Sequence, residues 1–341
     1  MRKISVFLGI VLVAFTLFAC GSKDPSGEAS ANGNEGETHT IKIGHALSEE
    51  HTQHKTFEKF KEYVEKESDN KIEVEIFPNG EIGDDEELIE SVEVGTVTMA
   101  APSTAPVANF VPEFELFDLP FLFEDRDTAF DVLDGELGSE VLELLEDVGI
   151  VGLGYWENGF RNLTNNIGPV HTPDDLAGMD IRTMETPMHI STWEKLGANP
   201  TPMAWGDVFV SLQQGTLDGQ ENPLGTIYDQ NVYEVQDYLT LTQHVYAPFA
   251  VLINQDFYEG LDEGLQKIIN DGVEVATEEN RKLVVETDEK TVDLLEAEGM
   301  EVNELSAEEL EVFKDMTESV YEEYKEKIGE ELVERVLGLT N

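Results

Sequence analysis

The sequence predicts an α/β protein organised on a parallel sheet, and three observations near its start carry that reading. Thr40 to Ala46 and Lys71 to Phe77 alternate apolar and polar residues, as half-buried strands do. Between them, residues 51–68 place Phe57, Phe60 and Val64 at helical spacing. Asp84, with Glu87 three residues later, opens a second helix to Val94, and a short strand follows from Val97 to Ala100. The order β-α-β-α-β favours parallel strands with helices on both faces. Ligands of such sheets lie beyond the carboxyl ends of the strands, which directs attention to His45-Ala46 and Ala101-Pro102-Ser103.

Leu116 to Phe123 is very apolar and contains a proline, so it reads as a buried extended segment. Asp127 to Asp147 reads as a helix and Ile150 to Trp156 as a strand. Thr172 before Pro173 is a helix start, with the proline at the first helical position. Gly178 to Met184 returns as a strand, and Pro187 to Leu196 as a helix. Leu239 to Thr242 and Phe249 to Asn254 are further strands. From Leu261 onward the chain is mostly helical and strongly acidic, with a capping box at Ser306 and Glu309.

A length of 341 residues accommodates two domains. The formal net charge of −51, from 21 basic and 72 acidic residues, excludes a nucleic-acid partner, which requires a basic footprint. It equally disfavours adhesion to anionic lipid by charge. The acids are spread along the chain and read as a solvated surface, suited to high salt or alkaline surroundings. Cys20 is the single cysteine, so no internal disulfide framework exists. It follows Arg2-Lys3 and an apolar run from Ile4 to Phe18, too short for a comfortable membrane span. Leu17-Phe18-Ala19-Cys20 is similar to a lipobox; an ordinary secretory signal or membrane anchor with an incidental cysteine is the alternative. The lipobox reading makes residues 1–19 a signal peptide and Cys20 the lipidated residue. Residues 20–38, rich in Gly, Ser, Asn and Glu, then form a flexible tether.

The stretch around which the rest is arranged runs from Leu196 to Pro223. A turn at Gly197-Ala198-Asn199-Pro200 leads through Thr201-Pro202-Met203 into a helix from Ala204 to Gln214, which stops at Gly215. The chain then emerges as Leu217-Asp218-Gly219-Gln220-Glu221-Asn222-Pro223. Taken alone, Trp205 is either a core residue or an aromatic wall, and Gln220 to Asn222 either a solvated turn or the polar part of a concave site. Arg182 stands in the apolar strand Met179 to Met184, and by spacing it fits equally a structural ion pair or a bidentate clamp on a carboxylate.

Pro200-Thr201-Pro202-Met203-Ala204-Trp205, with Leu217-Asp218-Gly219-Gln220-Glu221-Asn222, resembles the signature of the substrate-binding proteins of tripartite ATP-independent (TRAP) transporters. The resemblance extends from Ile41 to the C-terminal helices. It implies a two-domain, periplasmic-binding-protein-like (Venus-flytrap) α/β fold with crossing strands and a long domain-spanning helix. Domain I then comprises 39–158 and about 248–287, and domain II 159–247 and about 288–341. In the family an arginine forty residues before the asparagine of the Gln-Glu-Asn run clamps the substrate carboxylate, which assigns that role to Arg182 and a second contact to Asn222. Trp205 matches the aromatic wall, and Arg161, in Asn158-Gly159-Phe160-Arg161, matches a further ligand-contacting arginine. Asp85 matches a ligand-facing position of sialic-acid-binding relatives, whereas Ser103 replaces their glutamate and argues against a sialic acid. His45 and Trp156 complete the candidate set as hydroxyl or carboxylate partners; for His45 a non-ligand role is equally open.

The expected ligand is a small carboxylate, such as a uronate or a C4-dicarboxylate, with an ectoine-like zwitterion as the alternative. The expected partners are that ligand, the transporter's membrane permease, and the membrane through the lipid anchor. A sensor-associated module would use the same ligand site. The chain has no G-x-S-x-G elbow, P-loop or HExxH motif, which argues against an enzyme. No cofactor or metal is expected. Glu49, His51 and His54 read as polar residues of a helix start.

Overall fold

The computed structural model describes residues 38–340, so Cys20, the signal peptide and nearly all of the tether lie outside the described residues. Ten strands form the sheet: β1 (His39–Gly44), β2 (Ile72–Phe77), β3 (Met99–Ala100), β4 (Ile150–Asn165), β5 (Asp180–Thr183), β6 (Asn199–Pro202), β7 (Gly219–Pro223), β8 (Tyr238–Leu241), β9 (Tyr246–Asn254) and β10 (Glu301–Glu304). Their principal order is β2-β1-β3-β9-β4-β7-β5-β6, with β8 joining β4 to β10. The β1, β2 and β3 pairings are parallel, as the β-α-β-α-β pattern predicts. The intervening helices run from Thr52–Glu67 and Asp85–Glu93. Asp84 and Glu87 form the expected reciprocal cap, as do Thr172 with Asp175 and Ser306 with Glu309.

β4 is the axis of the molecule. Its first part pairs with β9 through residues 150–160, and its last five residues pair with β7, so one strand serves both halves of the sheet. The sequence reading stopped this strand at Trp156, because Glu157, Asn158 and Arg161 to Asn165 look like loop residues. They are buried in a strand because neighbouring strands and helices satisfy them. A bulge between Glu157 and Gly159 marks the passage from one half to the other. Pro248 of β9 sits opposite Glu157 at this bulge, where the ladder is already interrupted and its missing N–H costs little.

The first half-sheet is covered on both faces, and strand alternation divides the side chains. Phe249, Val251 and Ile253 of β9 join Trp156, Phe57 and Phe60 on one face, under the start of the long helix Glu263–Glu298. Ala250 and Leu252 join Tyr155, Phe114 and Phe117 on the other. Cores around the second half include Leu163, Ile181 and Trp193, and separately Val208, Leu239 and Leu295. The long helix therefore contributes to cores of both halves, with Leu265 to Ala276 in one and Leu295 in another. The helix Ala307–Ile328 does the same, burying Phe313 beside Trp193 and Val320 to Ile328 beside the first half's Phe114 and Phe117.

Two segments differ from expectation. Pro112–Asp118 is a 3-10 helix and Pro120-Phe121 a turn, with Phe121 at φ +55°, so the apolar stretch to Phe123 is not the extended segment expected, though its apolar residues are largely buried. The helix expected over Asp127 to Asp147 is divided into Arg126–Leu133, Glu136–Glu143 and a 3-10 turn to Val148. Gly138 explains the break: a Cβ there would lie 2.1 Å from the Leu133 carbonyl oxygen, so the second helix packs closer than any other residue permits.

At the β4 bulge the long helix is fastened to the strand. Asn280 accepts from the Glu157 N–H (2.6 Å) and donates to its carbonyl (3.1 Å). Arg126 bridges the side chains of Glu157 and Asp288. Burial pushes the Glu157 carboxyl up to about 7 and that of Asp288 up to about 6, outweighing the attraction of Arg126. Both groups thus bind protons more tightly folded than unfolded. Their contribution to stability is expected to grow as pH falls from 8 toward 5, because in that window the folded state holds more protons on these two groups than the unfolded chain does. Urea midpoints of the wild type and of Glu157→Gln/Asp288→Asn, measured across that range at fixed salt, check the sign; a wild type that gains nothing on the variant toward pH 5 contradicts it.

Candidate functional site

The Gln220-Glu221-Asn222 run, which the sequence left between turn and site, is a central strand. All five residues of β7 are buried, between β4 on one side and β5 on the other. Gly219 is required at its start, since a Cβ there would lie 2.4 Å from the Thr164 carbonyl oxygen. A polar strand can occupy the interior only if every group is matched. Gln220 donates to Thr164 Oγ1 (2.8 Å) and Asn222 donates to Gln220 Oε1 (2.6 Å). Glu221 is held by Arg161, whose Nη2 reaches Oε1 at 2.7 Å and whose Nε reaches Oε2, and by His244 Nε2 at 2.9 Å. Burial alone would raise the Glu221 carboxyl; Arg161 and the His244 hydrogen bond prevail and hold it well below the usual range. Burial lowers the pKa of His244.

Arg182, on β5 beside β7, is handled differently. Its Nε donates to the Met203 carbonyl (2.8 Å), and its guanidinium carbon lies 5.6 Å from the Trp205 ring centre. Of the five arginines among the described residues, Arg126, Arg161, Arg281 and Arg335 each hold a carboxylate; Arg182 does not. Yet it is only 4% exposed. Burial, with the neighbouring Arg161, lowers its pKa to about 10. A buried cation without a counter-charge is costly. It is also poised to accept an anion from outside.

Arg182 opens onto a cleft containing about 560 Å³ of atom-free space, its mouth included. The second half of the sheet contributes Arg161, Arg182, Trp205 and Asn222; the first contributes Gln53, Asp85 and Ser103. Asp85, at the first turn of its helix, accepts the Ser103 N–H (3.1 Å). Burial raises its carboxyl to about 6, against the lowering effect of that hydrogen bond.

Six of the eight candidate positions thus share one cleft, and His45 and Trp156 do not line it. His45 Nε2 pairs with His54 Nδ1 (2.9 Å), and its ring stacks on Phe57. Burial drives the His45 pKa down to about 3, so it is neutral. Trp156 packs edge-on against Phe57 in the core, and Phe249 lines the cleft from the neighbouring strand. His51 caps its helix and pairs with Thr226 Oγ1 (3.1 Å). The sequence reading missed Gln53, which lines the cleft from a polar helix start that carries no distinguishing pattern.

A family model described as bacterial extracellular solute-binding protein, family 7 (DctP) matches residues 43–327. The 2,3-diketo-L-gulonate-binding periplasmic protein YiaO of Escherichia coli is 35% identical over 254 residues, covering 74% of this chain and 77% of that one. The C4-dicarboxylate-binding periplasmic protein DctP of Rhodobacter capsulatus is 33% identical over 310 residues, 88% of this chain and 90% of its own. The solved sugar acid binding protein DctPAm of Advenella mimigardefordensis, in complex with galactonate, superposes with a TM-score of 0.88 at 38% identity. That match covers 90% of this chain and 99% of the other. The agreement spans both halves of the sheet and the cleft between them, and it shows that the chain belongs to family 7 of the bacterial extracellular solute-binding proteins, the receptors of TRAP transporters, and is not an enzyme.

Proposed function

We propose that this receptor captures a small organic acid by its carboxylate on Arg182 and delivers it to a TRAP permease. The observation that carries the reading is a buried arginine, open to the cleft, that holds no carboxylate of its own among the described residues. Its two terminal nitrogens suit bidentate recognition of a carboxylate. Asn222 stands beside it as a second polar contact, Trp205 forms a wall, and Asp85 and Ser103 meet the far end of the ligand. Closure would be a hinge motion about the β4 bulge, biased by contacts made only when both halves touch the ligand. Relatives named for diketogulonate, C4-dicarboxylate and galactonate binding support an acid ligand.

The test is a thermal-shift panel of uronates, aldonates, C4-dicarboxylates, keto acids and ectoine on the soluble chain. A ligand at a hundred times its dissociation constant stabilises by about 2.7 kcal/mol. Stabilisation by at least one acid is expected; stabilisation by ectoine alone would replace the acid reading with the zwitterion one.

The surplus of acidic residues bears on kinetics. An anion approaching a chain of net charge −51 meets long-range repulsion that salt screens. Association rates for an acid ligand are therefore expected to rise with ionic strength in stopped-flow measurements, and a fall would contradict this.

The lipid anchor is part of the proposal: Cys20 would be acylated after loss of residues 1–19, holding the receptor at the outer face of the membrane. Metabolic labelling with a fatty acid, present in the wild type and lost in Cys20→Ser, tests it; label retained in the variant refutes it.

A further inference from the structure

Building on the carboxylate-receptor reading, we propose that Asp85 makes the site selective for polyhydroxylated monocarboxylates and turns away dicarboxylates. The charges that line the cleft set this preference. The cations of the cleft are Arg161 and Arg182. Arg161 already has its counter-charge, because both Glu221 carboxylate oxygens accept from its Nε and Nη2. Arg182 alone among the cleft cations has no carboxylate, so the lining carries one uncompensated positive charge and neutralises one ligand carboxylate. No lysine lines the cleft to take another.

The opposite wall carries Asp84 and Asp85, and Glu185 adds a third acid from Arg182's own side of the cleft. Asp85 and Arg182 line the one cleft from its two sides, and each has another partner: Asp85 the Ser103 N–H and Arg182 the Met203 carbonyl. A ligand held on Arg182 therefore extends toward Asp85. Asp85 Oδ2 takes the Ser103 N–H, which fixes the carboxylate and leaves Oδ1 for the cleft. Gln53 is fixed in the same sense: its amide N–H donates to the Ala101 carbonyl at 2.6 Å, leaving the side-chain oxygen as an acceptor. The Ser103 hydroxyl, which makes no hydrogen bond among the described residues, completes the group. Two acceptors and a hydroxyl match the O–H donors of a polyol. A second carboxylate offers only acceptors and would be set against a like charge, and like charges placed together disfavour binding steeply.

Matched ligand pairs isolate the effect. Galactonate and galactarate differ only in a terminal CH2OH against a carboxylate, and erythronate and meso-tartrate differ likewise. Calorimetry at pH 8, where Asp85 is ionised, is expected to show the monoacid of a pair binding tighter on the order of a hundredfold. Asp85→Asn keeps an acceptor for the Ser103 N–H and removes the charge; it should narrow the gap at least tenfold, chiefly by admitting the diacid. Diacids bound by the wild type as tightly as monoacids would overturn the selectivity proposal. The Arg182 clamp reading would survive that result provided both ligands are lost in Arg182→Ala. An unchanged gap in a folded Asp85→Asn variant would remove Asp85 from the role. Binding that is indifferent to Arg182→Ala would instead overturn the Arg182 clamp reading, and the inference with it. The wild-type comparison needs no variant, so a poorly folding mutant leaves the proposal open to refutation.

Discussion

Arg182→Ala is expected to lower ligand affinity by about 2–5 kcal/mol, the cost of truncating one partner of a desolvated charge pair. That is a loss of roughly thirty- to several-thousand-fold, enough to silence the receptor at ordinary substrate levels. The same variant should leave the ligand-free protein as stable as before or more so. The reason lies in the arginine's surroundings: it is buried, its pKa is depressed, and none of the described acids pairs with it. A structural ion pair would behave in the opposite way, because its removal strands a carboxylate. Measuring binding by calorimetry and stability by urea on one preparation therefore separates the two roles. Affinity retained within a factor of three would sink the clamp assignment. Arg182→Lys should also bind poorly, since an ammonium lacks the planar fork and the Nε that donates to Met203.

Glu221→Ala is expected to cost about 3–5 kcal/mol of folding stability, because it leaves Arg161 buried without its counter-charge. The double variant Arg161→Ala/Glu221→Ala should be less damaging than the sum of the two single changes, the signature of a coupled pair. Additive losses in urea denaturation would show that the pair is not coupled. The same group sets an acid limit. Its folded pKa lies below that of the unfolded chain, so its contribution is complete above the unfolded carboxylate value, near 4.3, and is lost as pH falls further. This runs opposite to Glu157 and Asp288, whose raised pKa values favour the folded state on mild acidification. Buried, neutral His45 and His51 oppose that gain, since the unfolded chain protonates them below about 6.5 while the folded chain does not.

The regular elements were legible in the sequence because local rules and global fold agree there. The alternation in β1 and β2, the Asp84–Glu87 and Ser306–Glu309 caps, and the stop at Gly215, where φ is +66°, all stand where the pattern places them. The second half of β4 and all of β7 were not legible, since a run such as Gln220-Glu221-Asn222 has the composition of a loop. Its burial depends on Arg161, Thr164 and His244, all distant in the chain or on another strand. Residue type also failed to separate Arg161 from Arg182. Both sit in strands of one half-sheet and line one cleft, but only the first has an internal carboxylate. His45 and Trp156 were drawn toward the site by their position near strand ends, while neighbouring Ala46 and Phe249 line the cleft.

The path of the chain through the sheet constrains how the protein can come into being. The first half-sheet is closed by β9 and roofed by the long helix, neither of which begins before Tyr246. Nascent chain that has emerged as far as β8 already holds β1 to β7, but it contains no complete core. Such long-range closure predicts slow assembly and late commitment. It also fits an exported protein, which has to cross the membrane before it acquires its final shape. For the same reason neither half can be harvested by truncation. A fragment ending near residue 245 would keep the signature stretch and both cleft arginines and still lack the partner strand that orders β4 around them.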